Sequence, residues 1–320
     1  MLLISQAALL ITQDTLLTAR ATPETNRAQK TTARQTKTIG RQLALPHRQT
    51  PTYRPATELA KPIKACSTPN MNEGSPPNKL RVAALQLPLV WGDKAAAFDL
   101  LEAQLAALSD VRLVLLPEAF ITGYLSPEGR FDLRPYAETI DGESRQRFAA
   151  LAKQFNVALA VPLIEQAGQQ YFNSMLFLDE HGALLGHYRK RHPWFPEKWA
   201  SPGDLGFPVF LWGGCRLCMA ICFDLHFLGK ERGRELKQAD LLLISSVWVE
   251  EEGDTRTPQL QNLAKKFQVN ILNTNWAQSI PRLPSQGGSI ILDAQGNTLA
   301  RAADAAPQAV IADLDLGLWG

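Results

Sequence analysis

Cysteine is scarce in this chain. Only four stand in 320 residues, and three of them, Cys215, Cys218 and Cys222, crowd into one short stretch. No disulfide framework can staple a chain this long with so few, so reduced thiols and a cytoplasmic setting are expected. Long apolar runs are also missing: nothing approaches the roughly 18–20 residues needed to span a bilayer, which argues against a membrane-spanning protein. The apolar opening Leu2 to Ile11 lacks a basic flank and meets Asp14 soon after, so it makes a poor signal peptide. A strong net charge is lacking too. The formal value is +2, and ten Lys or Arg against three acids lie in residues 1–70. The remainder is mildly acidic, which argues against a globular domain built to grip nucleic acid.

What is present divides at about residue 76. Residues 1–76 are rich in Thr, Gln, Arg and Pro and show no sustained period of 2 or 3.6. Such a segment cannot bury enough apolar surface to offset its chain entropy and is expected to be a disordered extension. Met71 is a candidate true start; an organelle-targeting peptide is the rival reading.

Residues 77–320 read as one domain. Leu80 to Leu87 has a strand pattern, Ala95 to Leu108 carries apolar residues at helical spacing, and Val111 to Leu116 is a short apolar strand. A helix from Ser144 to Phe155 and a strand from Val157 to Leu163 follow, an alternation typical of α/β layering. Hairpins are expected around Asp179-Glu180-His181-Gly182 and Asp293-Ala294-Gln295-Gly296. Between them lie strands Arg216 to Cys222, Leu241 to Ser246 and Val269 to Asn273, with a helix near Gln259 to Phe267; a last strand is read at Ala309 to Leu314. The two halves repeat a similar order, consistent with two mixed sheets, each covered by helices.

Three residues stand where such folds place their sites. Cys222 ends a buried strand pattern. Glu118 follows the apolar run Leu113-Val114-Leu115-Leu116 and a proline, where partial desolvation makes a carboxylate a better base. Lys190 closes the hairpin strand in Tyr188-Arg189-Lys190-Arg191-His192. Each has a plain alternative: a small buried hydrophobe, a solvated strand-end carboxylate, and one member of a solvated basic face.

Together they carry a resemblance. In order, the chain presents Val82-Ala83-Ala84-Leu85-Gln86, then Leu116-Pro117-Glu118-Ala119-Phe120-Ile121-Thr122-Gly123-Tyr124, then Tyr188-Arg189-Lys190 with Glu197 and Pro202-Gly203-Asp204. Ile221-Cys222-Phe223-Asp224-Leu225-His226-Phe227 and Gly287-Gly288-Ser289 follow. From Leu80 onward the chain resembles the nitrilase superfamily of carbon–nitrogen hydrolases, in its amidase-like branch. The resemblance implies a four-layer α-β-β-α sandwich and a Glu-Lys-Cys triad: Cys222 as nucleophile, Glu118 as base, Lys190 as cationic partner and Glu197 as a supporting carboxylate. The Phe223 backbone N–H would join Lys190 in stabilising the oxyanion. Tyr124, Trp194 and Trp248 are placed by the motifs as pocket lining. The reaction implied is cleavage of a small linear amide by water through a thioester, without metal or cofactor, in a homo-oligomer. Alternatives within the resemblance are an N-carbamoyl amidohydrolase, an acyltransferase and an inactive binding relative.

Three further features bear on this reading. Leu228-Gly229 stands where the family pattern has Pro-Glu, putting the local loop in question. The C-x₂-C-x₃-C run invites a metal site, but strand alternation turns Cys215 away from Cys218 and Cys222. Arg189, Arg191 and His192 offer positive charge to a substrate carboxylate, as an ω-amide would carry.

Overall fold

A computed structural model of the chain describes residues 65–66, 79–249, 253–278, 280 and 283–316. The remainder of the expected extension lies outside the described residues.

The first half builds a seven-stranded sheet. Its strands are β1 (Ala65–Cys66), β2 (Lys79–Gln86), β3 (Leu113–Leu115), β4 (Ala158–Ala167), β5 (Gln170–Leu178), β6 (Leu184–Arg189) and the late β13 (Gln308–Asp315), in the order β1-β13-β2-β3-β4-β5-β6. β2, β3 and β4 run parallel, whereas β13, β5 and β6 are antiparallel to their inner neighbours. Helices α1 (Lys94–Ala106) and α2 (Glu143–Phe155) supply the crossovers and meet through Phe98 and Phe148, whose ring centroids lie 4.7 Å apart. α1 starts where the Asp93 carboxylate accepts from the Ala96 N–H at 3.0 Å, a side-chain N-cap.

The second sheet has six strands, ordered β12 (Thr298–Arg301), β11 (Ile290–Leu292), β10 (Asn270–Thr274), β9 (Leu241–Ser245), β8 (Cys215–Ile221) and β7 (Phe210–Trp212). Its helices are α3 (Leu225–Glu231), the single turn α4 (Gly233–Leu236) and α5 (Arg256–Phe267). The sheets face one another: Leu80, Val82, Ala84, Leu113 and Leu115 share one core with Leu217, Met219, Leu241 and Leu243. Both faces of the central strands are buried, so they read as continuous apolar runs, as parallel strands covered on both sides do. This is the α-β-β-α sandwich expected from the motifs.

Four differences from the sequence reading have local causes. Ala65–Cys66, inside the segment read as an extension, pairs in parallel with Ala309 and Val310 and so extends the sheet edge beyond the boundary at residue 76. β4 runs on to Ala167 and turns through Gly168, at φ +60°, into a hairpin with β5, because Glu165 and Gln166 remain paired although no longer apolar. β7 is a short edge strand whose three residues carry too little pattern to detect. Around Leu228-Gly229 the expected loop is the helix α3, with Leu228 buried. A Cβ at Gly229 would meet Leu263 Cδ1 at 3.4 Å and Phe267 Cε2 at 3.7 Å, ordinary contact distances. Gly229→Ala is therefore expected to stabilise the protein by about 0.5–1 kcal/mol, by helix propensity and reduced unfolded-chain entropy. A lower denaturant midpoint would mean that the α3–α5 contact has no room for the methyl group.

Two of the motifs hold the sheets together. Gln86 Oε1 accepts from both the N–H and the hydroxyl of Ser289 at 3.0 Å, while its amide donates to the Asp304 and Ala306 carbonyls at 2.8 Å. Ser245 Oγ reaches the Leu116 carbonyl at 2.7 Å and Thr274 Oγ1 the Leu85 carbonyl at 2.9 Å. These bonds pin the carboxyl ends of the parallel strands of both sheets to one another.

Candidate active site

Those strand ends bring the chemistry-bearing residues together. Glu118 leaves β3, Lys190 follows β6, Cys222 follows β8, and Val247 lies just beyond β9. All three side chains are shielded from water: Cys222 is 9% exposed, and Glu118 and Lys190 each 1%.

Lys190 sits between two carboxylates. Its Nζ lies 2.8 Å from Glu118 Oε1, 2.8 Å from Glu197 Oε2 and 3.0 Å from Glu197 Oε1. Burial works against its charge, but Glu118 and Glu197 outweigh that and hold the ammonium protonated. Burial pushes the Glu197 carboxyl up, against the pull of Lys190. The other Glu118 oxygen accepts from the Val247 N–H at 2.8 Å, so both of its oxygens are fixed.

Cys222 occupies a one-turn 3₁₀ helix, Cys222–Asp224, with φ +44°. A left-handed conformation costs a non-glycine residue roughly 1–2 kcal/mol, so surrounding contacts must impose it. Asp224 supplies them. Its carboxylate accepts from the Ile221 N–H at 3.1 Å, the Tyr188 hydroxyl at 2.8 Å and the His192 N–H at 2.8 Å. One buried side chain thus ties the Cys222 turn to the Tyr188 side chain and the His192 backbone, which flank Lys190. Burial, then the Glu118 charge, push the Cys222 thiol well up; Lys190 and the Val247 N–H pull the other way without prevailing. The resting thiol is protonated near neutral pH, and attack by it needs a base in concert.

The expected lining residues flank this centre. Tyr124 stacks on Trp194 at 6.3 Å, and Phe131 packs edge-on against both at 5.8 and 6.2 Å. Burial, then the Glu197 and Glu118 charges, push the Tyr124 hydroxyl well up, keeping it a donor. Glu197 Oε2 accepts from the Trp194 N–H at 2.6 Å, which fastens the Trp194 loop to the carboxylate cluster. Trp248 follows Val247, its ring 5.2 Å from His226, with Asn275 Oδ1 accepting from its backbone N–H at 2.7 Å. Phe223 follows Cys222 in the turn, its ring edge-on to His226 at 5.0 Å.

The basic run does not converge on the site, which corrects the role suggested for it. Alternation along β6 sends Arg189 to Glu165 and to Asp204, at 2.8 Å, with its guanidinium 4.0 Å over the Phe172 ring. Arg191 donates to the Gly203 carbonyl at 2.9 Å, and His192 stacks on Phe227 at 3.9 Å beside Glu231. The Pro202-Gly203-Asp204 motif closes over this strand: a Cβ on Gly203 would lie 2.0 Å from the Arg189 carbonyl oxygen, so only glycine fits.

Glu165 anchors the same edge. Burial alone would raise its carboxyl, but hydrogen bonds from His187, Arg189 and Ser174 hold it down at about 2, against an ordinary 4.5. A depressed carboxyl stabilises the fold above its unfolded value and loses that contribution as pH falls through the folded one. Stability is thus expected to drop between about pH 4.5 and 2 by on the order of 3 kcal/mol from this group, and Glu165→Gln to flatten that stretch of the curve. An unchanged acid profile in the variant would remove Glu165 from the account.

Asn173, Asp224 and the Val247 N–H were not singled out from sequence. Asn173 had a readable signal, an amide inside the apolar run Tyr171 to Leu178; Val247 acts through its backbone and had none. Among the described residues no group of three or more His, Cys, Asp and Glu is arranged to hold a metal, and Cys215 and Cys218 are buried thiols, pushed up by burial.

A buried Glu–Lys–Glu cluster and a strained cysteine thus stand together at the meeting edge of two helix-covered sheets. The carbon–nitrogen hydrolase family model matches residues 81–320, and the chain belongs to that family, whose members act on carbon–nitrogen bonds other than peptide bonds. It is 29% identical to a nitrilase of Pyrococcus abyssi over 67% of this chain and 80% of the relative. It is 26% identical to an (R)-stereoselective amidase of a Pseudomonas species, over 74% and 86%, and 27% identical to an N-carbamoylputrescine amidase of Arabidopsis thaliana, over 64% and 76%. Among solved structures it is similar to a carbon–nitrogen hydrolase of Helicobacter pylori, with TM-score 0.64 and 26% identity over 75% of this chain and 90% of the other. An amidase of a Nesterenkonia species gives TM-score 0.66 and 25% identity, over 75% and 92%. No helix among the described residues is long and apolar enough to cross a membrane.

Proposed function

We propose that this chain hydrolyses a small, linear, uncharged amide to its carboxylate and ammonia through a thioester on Cys222. The observation that carries the reading is the hydrogen-bonded set of Glu118, Lys190 and Glu197 packed against a protonated, left-handed Cys222. As the sulfur attacks the amide carbon, its proton passes to Glu118 and the C–S bond forms. The carbonyl oxygen becomes an oxyanion stabilised by the Lys190 ammonium and the Phe223 N–H, a contribution of typically about 3–4 kcal/mol per donor in such holes. Collapse breaks the C–N bond, and Glu118 returns its proton to the departing nitrogen. Glu118 then takes a proton from water, the hydroxide attacks the thioester, and the regenerated thiol leaves with that proton.

The residues around the centre support this substrate class. Tyr124, Phe131, Trp194 and Trp248 are aromatic, and Arg189 is held by acids of its own, which favours a neutral acyl group over an ω-amide carboxylate. Amidases and carbamoyl amidases both occur among the relatives, so the test compares acetamide, propionamide, an ω-amide dicarboxylate and N-carbamoylputrescine. Adding hydroxylamine to the preferred substrate is expected to yield the hydroxamate at the expense of the acid, because an acyl-enzyme partitions between nucleophiles. Ammonia release without hydroxamate would count against the thioester, and preference for the ω-amide against the neutral-acyl assignment.

A further inference from the structure

Both carboxylates of the centre are held by a second nitrogen besides Lys190. Asn173 Nδ2 donates to Glu118 Oε1 at 2.7 Å and to Glu197 Oε1 at 2.8 Å. These are the oxygens that accept from Lys190 Nζ at 2.8 and 3.0 Å. Two nitrogens and two oxygens therefore close a ring of four hydrogen bonds, with both amide hydrogens committed. The chemistry fixes the amide's orientation, since the flipped form would set Oδ1 against two carboxylate oxygens. Oδ1 is buried without a hydrogen-bond partner among the described residues, so this position is not optimised for its own polar satisfaction. The Asn173 backbone carbonyl also accepts from the Lys190 N–H at 2.8 Å, so one residue sets both the root of Lys190 and the heads of its partners.

Two buried carboxylates sharing one ammonium repel each other, and a second donor that engages both offsets part of that repulsion. A proton on Glu118 would remove the base. We propose that Asn173 is a positioning residue that keeps Glu118 proton-free before attack, by donating to both carboxylates without adding an ionisable group. The inference rests on the proposed role of Glu118. The charged and titratable groups facing the ring are Glu118 and Tyr124 from the loop after β3, Lys190 and Glu197 after β6, and Cys222 after β8. Asp224 acts on it through Lys190.

The test is the pH profile of Asn173→Leu, read two ways. In kcat/KM for the preferred amide, the acid limb is expected to move up by about one pH unit, tenfold in proton affinity, with KM little changed. In alkylation of Cys222 by iodoacetamide, which needs no substrate assignment, the same limb is expected to move the same way. Asn173→Leu combined with Glu197→Gln removes one of the repelling charges and is expected to bring the alkylation limb back toward the wild-type position. Unmoved limbs in a folded Asn173→Leu protein, with activity and Tm merely lowered, would overturn the proposal in favour of a packing role. So would a limb that moves but is not restored in the double variant. Wild-type protein inert toward every amide but with the predicted alkylation shifts would separate failure of the amidase reading from failure of this one. If Asn173→Leu does not fold, Asn173→Ser, which keeps one shorter donor, is read by the same profiles and the same outcomes.

Discussion

Glu118→Gln is expected to lower kcat for amide hydrolysis by roughly a thousandfold while leaving a folded protein whose Cys222 ionises more easily than the wild type's. The two halves of that result have one origin. Glu118 takes and returns every proton in the proposed cycle, and a neutral amide does neither. Its negative charge also opposes loss of the thiol proton, so removing it lets the thiolate form at lower pH. The fold survives because Lys190 still faces one carboxylate, Glu197, and the glutamine oxygen still accepts from Lys190 and Asn173. Its nitrogen, set against the Val247 N–H, loses one hydrogen bond, a cost of about 1–3 kcal/mol. Thiolate absorbance titrated against pH, beside turnover, reads both effects. More thiolate with full turnover would leave Glu118 a bystander.

Lys190→Met should be the most damaging to stability. Lys190 is 1% exposed, and its ammonium is paired with both Glu118 and Glu197. Removing it strands two buried carboxylates, a loss of about 3–5 kcal/mol for a broken buried pair. For a domain of this size that is on the order of 10 °C in Tm. Turnover is expected to vanish with it, since the oxyanion loses its cation. Combining Lys190→Met with Glu197→Gln removes one stranded charge and is expected to recover much of the Tm and none of the activity. A double variant as unstable as the single one would show that lost packing of the lysine stem dominates.

How much of this was legible before folding depends on where each residue acts. Glu118 and Cys222 end strands with strong apolar runs and Lys190 closes a hairpin strand in a basic run, so pattern marked the first two and the motif joined the third to them. Glu197 was readable only from the motif, and its loop is held by the Trp194 N–H. The basic run misled because sequence neighbours alternate in direction along β6: Lys190 points into the cluster, whereas Arg189 belongs to Glu165. Asp224 was quoted as part of a motif, but its task, three hydrogen bonds holding a left-handed turn against β6, exists only between elements far apart in the chain. Val247 contributes a main-chain N–H, for which no side chain can signal. Leu228-Gly229 looked like a disrupted loop because the expected Pro-Glu was absent, yet the residues continue a helix whose buried face is set by α5.

The central claim is that Cys222 carries the acyl group. Ammonia release from propionamide by wild type and Cys222→Ala, each checked for folding, tests it most directly. Steady release by the wild type, with none above background in the variant, is the predicted result. Release that persists at a comparable rate in Cys222→Ala would contradict it.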